Sequence, residues 1–314
     1  MTSAHIPGLT ALTLGTSPLG RDTVPGSAGE EAAVATAIAL LRSGDFVDTA
    51  NMYAGGRSEE IIGLALGELS PSERKDAAAR IITKVDRDLE TGVLDGDRVR
   101  RSYEESLTRL GLDRVRYLHL HDPYLTPFAE ANGAGGSIEA MVSLREEGLT
   151  DVIGIAAGKV PVVAQYVETG AFDLLLLHNR LTLVDQSATG LMTEAKSRGM
   201  TVFNAAPFGG DLLAKGSAAG TSYAYRPVSD ELRAWTARAE EVVARHGVPL
   251  NAVALQFSLR SELVDSTVVG ISSPARLDEA RALAAREIPD AVWAELAELG
   301  AAPSPVRDEL EPVL

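Results

Sequence analysis

Short apolar runs alternate with longer stretches of helical apolar spacing along the whole 314-residue chain. The runs at 11–15 (ALTLG), 45–49 (DFVDT), 80–85 (RIITKV), 115–121 (VRYLHLH), 151–156 (DVIGIA), 173–178 (DLLLLH), 200–205 (MTVFNA) and 265–270 (DSTVVG) read as strands. Alanine- and charge-rich segments such as 29–42, 58–69, 97–110, 137–147, 187–198 and 251–260 carry apolar residues at helical spacing. Sequential parallel strands need a crossover between them, and a repeat of roughly 25 to 35 residues suits one helix per crossover. The pattern predicts an α/β protein, a (β/α)8 TIM barrel formed as one domain over residues 1–314.

The punctuation agrees. Ser58 ahead of Glu59 and Glu60 reads as a helix start, as does Ser273 before Pro274, while Gly111, Gly148 and Gly199 mark helix stops. Three segments exceed ordinary connections: 122–136, 206–228 and the tail 299–314. The first two follow strand exits, where barrel loops form binding walls, and all three are expected around the mouth.

Strand parity then points to chemistry. Phe46 with Asp48, Ile82 with Lys84, and Tyr117, His119 and His121 share faces, so inward ends of strands two, three and four carry a carboxylate, an ammonium and an imidazole. Tyr53 follows Asp48 by five residues. A phenol titrates too high to exchange protons readily at neutrality, and a neighbouring cation favours its ionised form. The expectation is that Lys84 lowers the Tyr53 pKa, Asp48 positions the ammonium, and His121 orients a carbonyl oxygen or passes a proton. Nothing in the chain stores a hydride, so a redox cofactor must bring it. Taken singly, each residue has an ordinary structural role available: Asp48 as a helix cap, Lys84 as its salt-bridge partner.

Composition narrows the partners. A formal charge of −15 without a concentrated basic face argues against nucleic acid and favours a small-molecule ligand. No cysteine is present, which removes disulfides, thiolate catalysis and sulfur-bound metals. No apolar run approaches a membrane span, and the opening MTSAHIPGLTALTLG lacks a secretory pattern, so the cytoplasm is the expected location. Oligomeric state is not written in the sequence.

FVDTANMYAGGRSEEIIGLAL, IITKV, LTRLGLDRVRYLHLHDP and VVGISSPARLDEA together resemble the aldo-keto reductase family, in order and over nearly the whole chain. The resemblance implies a (β/α)8 barrel that uses NADP(H) or NAD(H) without a Rossmann domain, with Tyr53, Lys84, Asp48 and His121 as the catalytic tetrad. It also implies cofactor contacts at Ala156, His178, Ala206, Phe208, Gly209, Gly270, Ser272, Ser273, Arg276 and Glu279. Departures are visible: Ala156 and Ala157 where members often have Ser-Asn, His178 for a glutamine, Ala205 to Phe208 around a missing stacking aromatic, and Gly270 where NADPH-preferring members have lysine. APFGGDLL and RLTLVDQ are similar to the branch of aldose (L-fucose or D-threo-aldose) 1-dehydrogenases and pyridoxal 4-dehydrogenase, which oxidise cyclic hemiacetals to lactones. Tyr124, Phe128, Phe208, Tyr223 and Tyr225 lie on the long loops as candidate substrate contacts, with local packing as the alternative.

Two rival classes remain. His119-Leu120-His121 fits the metal-binding pair of barrel hydrolases, with His178 and Asp265 as further ligands, but those enzymes carry the pair on the first strand. On the favoured reading no metal is bound and His119 forms a buried, hydrogen-bonded layer below the site. The third class is a regulatory, cofactor-sensing subunit, against which the intact tetrad argues.

Overall fold

In the computed structural model, which describes residues 6–303, 306 and 308, eight parallel strands close on themselves. They are Leu12–Gly15, Phe46–Asp48, Ile81–Val85, Tyr117–His121, Val152–Ala157, Leu174–His178, Thr201–Ala205 and Ser266–Gly270. Each pairs with its sequence neighbours, and the first pairs with the eighth through Thr13 opposite Val268 and Leu14 opposite Val269. Every strand run read from the sequence is present, seven of them shortened by a residue or two and the fifth shifted by one.

Period-two alternation sorts the strand side chains into two layers. Phe46, Ile82, Tyr117, Leu174, Leu176, Phe203 and Val268 fill the barrel interior, with Ile6 packed among them. Val47, Ile81, Leu118, Leu120, Ile153, Ile155, Leu175, Leu177 and Val202 face outward into the core shared with the helices. The helix Gly96–Leu110 shows why these segments dock. Val99, Tyr103, Ser106 and Leu110 recur every three to four residues and are buried, Asp95 caps its start by accepting from the Arg98 amide, and Gly111 ends it in a left-handed turn.

The helix start expected at Ser58 is corrected. The helix Arg57–Gly67 is entered through Gly56 at φ 91°, and Ser58 lies inside it, donating from its buried hydroxyl to the Thr16 carbonyl at 3.0 Å. Ser273 does cap the helix Pro274–Ala285. The long connection 206–228 holds a short helix, Leu212–Lys215, and a two-stranded ribbon pairing Ser222 with Pro227 and Tyr223 with Arg226. Two helices, Asp230–Arg245 and Leu250–Leu259, separate it from the eighth strand, and the helix Asp290–Glu298 follows. Of the tail placed near the mouth, residues 304, 305, 307 and 309–314 lie outside the described residues. Asp308 meets Arg180, accepting from Nη2 at 2.7 Å. Among the described residues no helix is long and apolar enough to cross a membrane.

Candidate active site

Strand two ends at Asp48 and strand three brings Lys84 beside it, so two charges 36 residues apart in sequence meet inside the barrel. Lys84 Nζ donates to Asp48 Oδ1 at 2.7 Å, to the Thr49 carbonyl at 2.7 Å and to the Tyr53 hydroxyl at 3.2 Å. An ammonium has three protons and no acceptor, and all three are committed. The Tyr53 oxygen therefore accepts from Lys84, and its own proton is left to point elsewhere. Lys84 Nζ also stands 4.6 Å from the Tyr53 ring centroid.

Tyr53 sits on a tight turn, Tyr53–Gly56, in which Ala54, Gly55 and Gly56 all have positive φ. The turn is bolted down from beneath. Arg109 donates to the Asn51 carbonyl at 2.9 Å and to the fully buried Glu59 at 3.2 Å, and Asn51 Nδ2 donates to the Ser102 carbonyl at 3.0 Å. A Cβ on Gly56 would stand 2.6 Å from Arg109 Cζ, which is why glycine is needed there.

The expectation that Lys84 lowers the Tyr53 pKa is corrected. Burial pushes the phenol well above 10.0, and the Asp48, Asp122 and Asp86 carboxylates add to the rise. Tyr53 is thus a protonated phenol at neutrality, a proton donor in waiting.

His121, on the fourth strand, meets Tyr53 edge to face with ring centroids 5.7 Å apart. Its Nδ1 lies 2.7 Å from Asp86 Oδ1, and its Nε2 lies 3.7 Å from Asp122 Oδ2. Burial disfavours the imidazolium, yet the carboxylates of Asp86 and Asp122 outweigh it and raise the pKa above 6.5. Asp86 is a functional candidate that the sequence reading missed, although the signal was there: it follows Ile82 and Lys84 in the same inward parity. Asp122 was missed as well. Its backbone is left-handed at φ 40°, its Oδ1 is buried without a hydrogen-bond partner, and His178 Nε2 stands 3.9 Å away. Burial opposes its charge, but His121 and His178 hold the carboxyl down to about 2.

These groups open into a cavity of about 530 Å³, in the range that takes small ligands. Asp48, Tyr53, His121 and Asp122 line one side, His178, Ala206, Phe208 and Tyr225 another, and Gly15, Val268 and Gly270 a third. Of the aromatic candidates, Phe208 and Tyr225 reach it, and Tyr225 meets His178 at 6.0 Å between centroids. The other three are packing groups. The Tyr124 hydroxyl accepts from the Gly158 amide at 2.5 Å, Phe128 stacks edge-on against Tyr166 at 5.2 Å, and Tyr223 is 1% exposed with its hydroxyl 2.6 Å from Thr182 Oγ1.

His119 is fully buried below His121, its ring edge-on to Phe203 at 6.1 Å and close to the Ile155 backbone. Burial first, then Lys84 and His121, push its pKa well below 6.5. The proposed metal set does not converge. Asp265 stands ahead of the eighth strand, at the end opposite the mouth, and is paired with Lys196 at 2.6 Å. Among the described residues no group of three or more His, Cys, Asp or Glu side chains is placed to hold a metal.

The remaining wall carries groups whose chemistry suits a dinucleotide's phosphates. A Cβ on Gly270 would meet nothing within 4 Å, and the helix Pro274–Ala285 begins four residues further on. Exposed Ser272, the capping Ser273 and Arg276 stand at that start, where helix amides and a guanidinium suit phosphate groups. Arg276 is tied to Glu279 at 2.6 Å, which moderates its pull on a further phosphate. Ala156 is fully buried inside the barrel, and Gly209 supports the wall by lying against the Tyr223 ring.

Comparison with known proteins agrees with this geometry. The aldo/keto reductase family model matches residues 11–301. The chain is 36% identical to D-threo-aldose 1-dehydrogenase of a Pseudomonas species over 66% of its own length and 63% of that protein, so the match spans just under two thirds of the relative. It is 30% identical to pyridoxal 4-dehydrogenase of Microbacterium luteolum over 92% of this chain and 93% of that one. The fold is shared with the holo form of an aldo-keto reductase of Bacillus halodurans at a TM-score of 0.73 and 21% identity, covering 97% and 96% of the two chains.

Proposed function

The chain belongs to the aldo-keto reductase family of NAD(P)-dependent oxidoreductases, and on that premise we propose that it moves a hydride between nicotinamide and a hemiacetal or carbonyl carbon, with Tyr53 handling the proton. The observation that carries the reading is the Lys84 ammonium donating to the Tyr53 oxygen at 3.2 Å, because an oxygen that accepts from Lys84 keeps its own proton for a substrate oxygen. In the reducing direction the carbonyl π bond opens as carbon gains hydride, and the oxygen takes the Tyr53 proton. Lys84 then faces the phenolate that results, and solvent returns the proton. The oxidising direction runs through the same groups in reverse.

Bound nicotinamide supplies or accepts the hydride. Ser272, Ser273 and Arg276 would hold its phosphate-bearing part, and His178, Ala206, Phe208 and Gly270 would border the ring. The relatives named for D-threo-aldose and pyridoxal support a hemiacetal substrate. So does the pocket, where Asp122 lines the wall and Phe208 and Tyr225 offer apolar faces. The pairing of Arg276 with Glu279, together with Gly270 in the lysine position, supports use of NADH as readily as NADPH.

The test is Tyr53→Phe, assayed with aldoses, pyridoxal and simple aldehydes against both cofactors. Turnover should fall by about 10² to 10⁴, while fluorescence titration of NADH and NADPH stays unchanged. Retained turnover would remove Tyr53 from the proton step.

A further inference from the structure

We propose that Asp86 is a positioning residue that fixes the proton of His121 on Nδ1, so that the pocket-facing Nε2 donates to a carbonyl oxygen only while the ring is an imidazolium and accepts from a substrate hydroxyl once the ring is neutral. The inference rests on the reading of this site as a nicotinamide-dependent oxidoreductase.

Asp86 is 1% exposed, and both of its oxygens are committed. Oδ1 lies 2.7 Å from His121 Nδ1, and Oδ2 accepts the Met52 amide at 2.9 Å. Its own backbone is pinned, with the amide donating to Ser102 Oγ at 2.9 Å and the carbonyl accepting from Arg98 Nε at 2.9 Å. One carboxylate therefore ties the residue next to Tyr53 to the ring of His121.

A carboxylate only accepts hydrogen bonds, so Nδ1 must carry a proton in either charge state of the ring. In the neutral ring that leaves Nε2 with a lone pair, which repels a carbonyl oxygen and welcomes a hydroxyl proton. Protonation reverses the preference. The groups facing His121 are Asp86 from the third strand's exit, Asp122 beside it, Lys84, the Tyr53 ring and His119 below, with Asp48 and His178 one contact further out. The balance of these charges raises the ring's pKa, which brings the change of role toward neutral pH. No hydride or substrate group is transferred in this step; a single proton is exchanged with solvent.

Asp86→Asn separates the possibilities because the Met52 amide is a fixed donor. The new amide oxygen must face it, which turns the NH₂ toward Nδ1 and forces the neutral ring to carry its proton on Nε2. Long-range ¹H–¹⁵N correlation spectra of the folded, cofactor-free protein read the tautomer directly. Wild type should show His121 as the Nδ1–H form above its titration, and Asp86→Asn should show Nε2–H.

In turnover, wild-type kcat/KM for reduction of 4-nitrobenzaldehyde should fall about tenfold per pH unit above the His121 pKa within about pH 5 to 9. The variant should lose less than about threefold over that span while its hemiacetal oxidation, followed with pyridoxal, drops by about tenfold or more. An Nε2–H tautomer in wild type overturns the proposal, as do superimposable pH profiles from a folded variant. The wild-type spectrum decides even if the variant does not fold. Absence of any nicotinamide-dependent turnover by wild type would count against the reaction assigned to the site, while the tautomer measurement would still judge Asp86.

Discussion

Lys84→Met isolates what the buried charge pair does. Lys84 is 1% exposed and Asp48 3%, and the ammonium is the hydrogen-bond partner of Asp48 Oδ1, while Oδ2 already has none among the described residues. Methionine keeps most of the aliphatic stem, so the loss is chiefly the charge and its three hydrogen bonds. Removing one partner of a buried pair and stranding the other costs about 3–5 kcal/mol. At roughly 2 °C of Tm per kcal/mol for a chain of this size, the melting temperature should fall by about 6–10 °C. Asp48→Asn/Lys84→Met removes both charges and should recover to within about 1–2 kcal/mol of wild type, since the stranded carboxylate is gone. Turnover should behave differently. Without Lys84 the phenolate left by proton transfer faces no cation, so both variants should be slower by about 10² or more. Chemical denaturation with steady-state assay of the wild type, each single variant and the double variant completes the cycle. A single variant losing under about 1 kcal/mol, or a double variant no more stable than Lys84→Met, would refute the claim that the pair is a matched buried charge.

Three further outcomes follow from the geometry. Gly56→Ala places a methyl 2.6 Å from Arg109 Cζ at a residue with φ 91°, which should cost about 2–4 kcal/mol by denaturant unfolding through strain and displacement of the Arg109–Glu59 pair. His119→Leu replaces a fully buried ring by an apolar side chain, so stability should stay within about 1 kcal/mol of wild type or rise, with turnover changed less than about threefold; a large loss of either would assign His119 a role. Because burial and three carboxylates raise the Tyr53 pKa well above 10.0, ultraviolet difference titrations of the cofactor-free wild type and Tyr53→Phe should superimpose up to that pH. A tyrosinate seen only in wild type near neutrality would contradict the assignment of a protonated phenol.

The sequence by itself determined the barrel and the identity of the central four residues. Strand and helix periods are local, so eight apolar runs and the parity of Asp48, Lys84 and His121 could be read without coordinates, and the aldo-keto reductase resemblance added what the motif text carries. The tertiary structure alone decided the electrostatics. Asp86 and His121 are 35 residues apart, and their 2.7 Å contact was not read from strand parity, nor was how far burial outweighs a neighbouring cation in setting the state of a phenol. The long loops were likewise undetermined: Tyr223 and Tyr225 are two residues apart, yet one is 1% exposed in the core and the other 59% exposed at the pocket. Ala224 and Tyr225 both take left-handed backbone there, so the alternation that sorts side chains along a regular strand no longer holds, and only the fold says which ring faces the pocket.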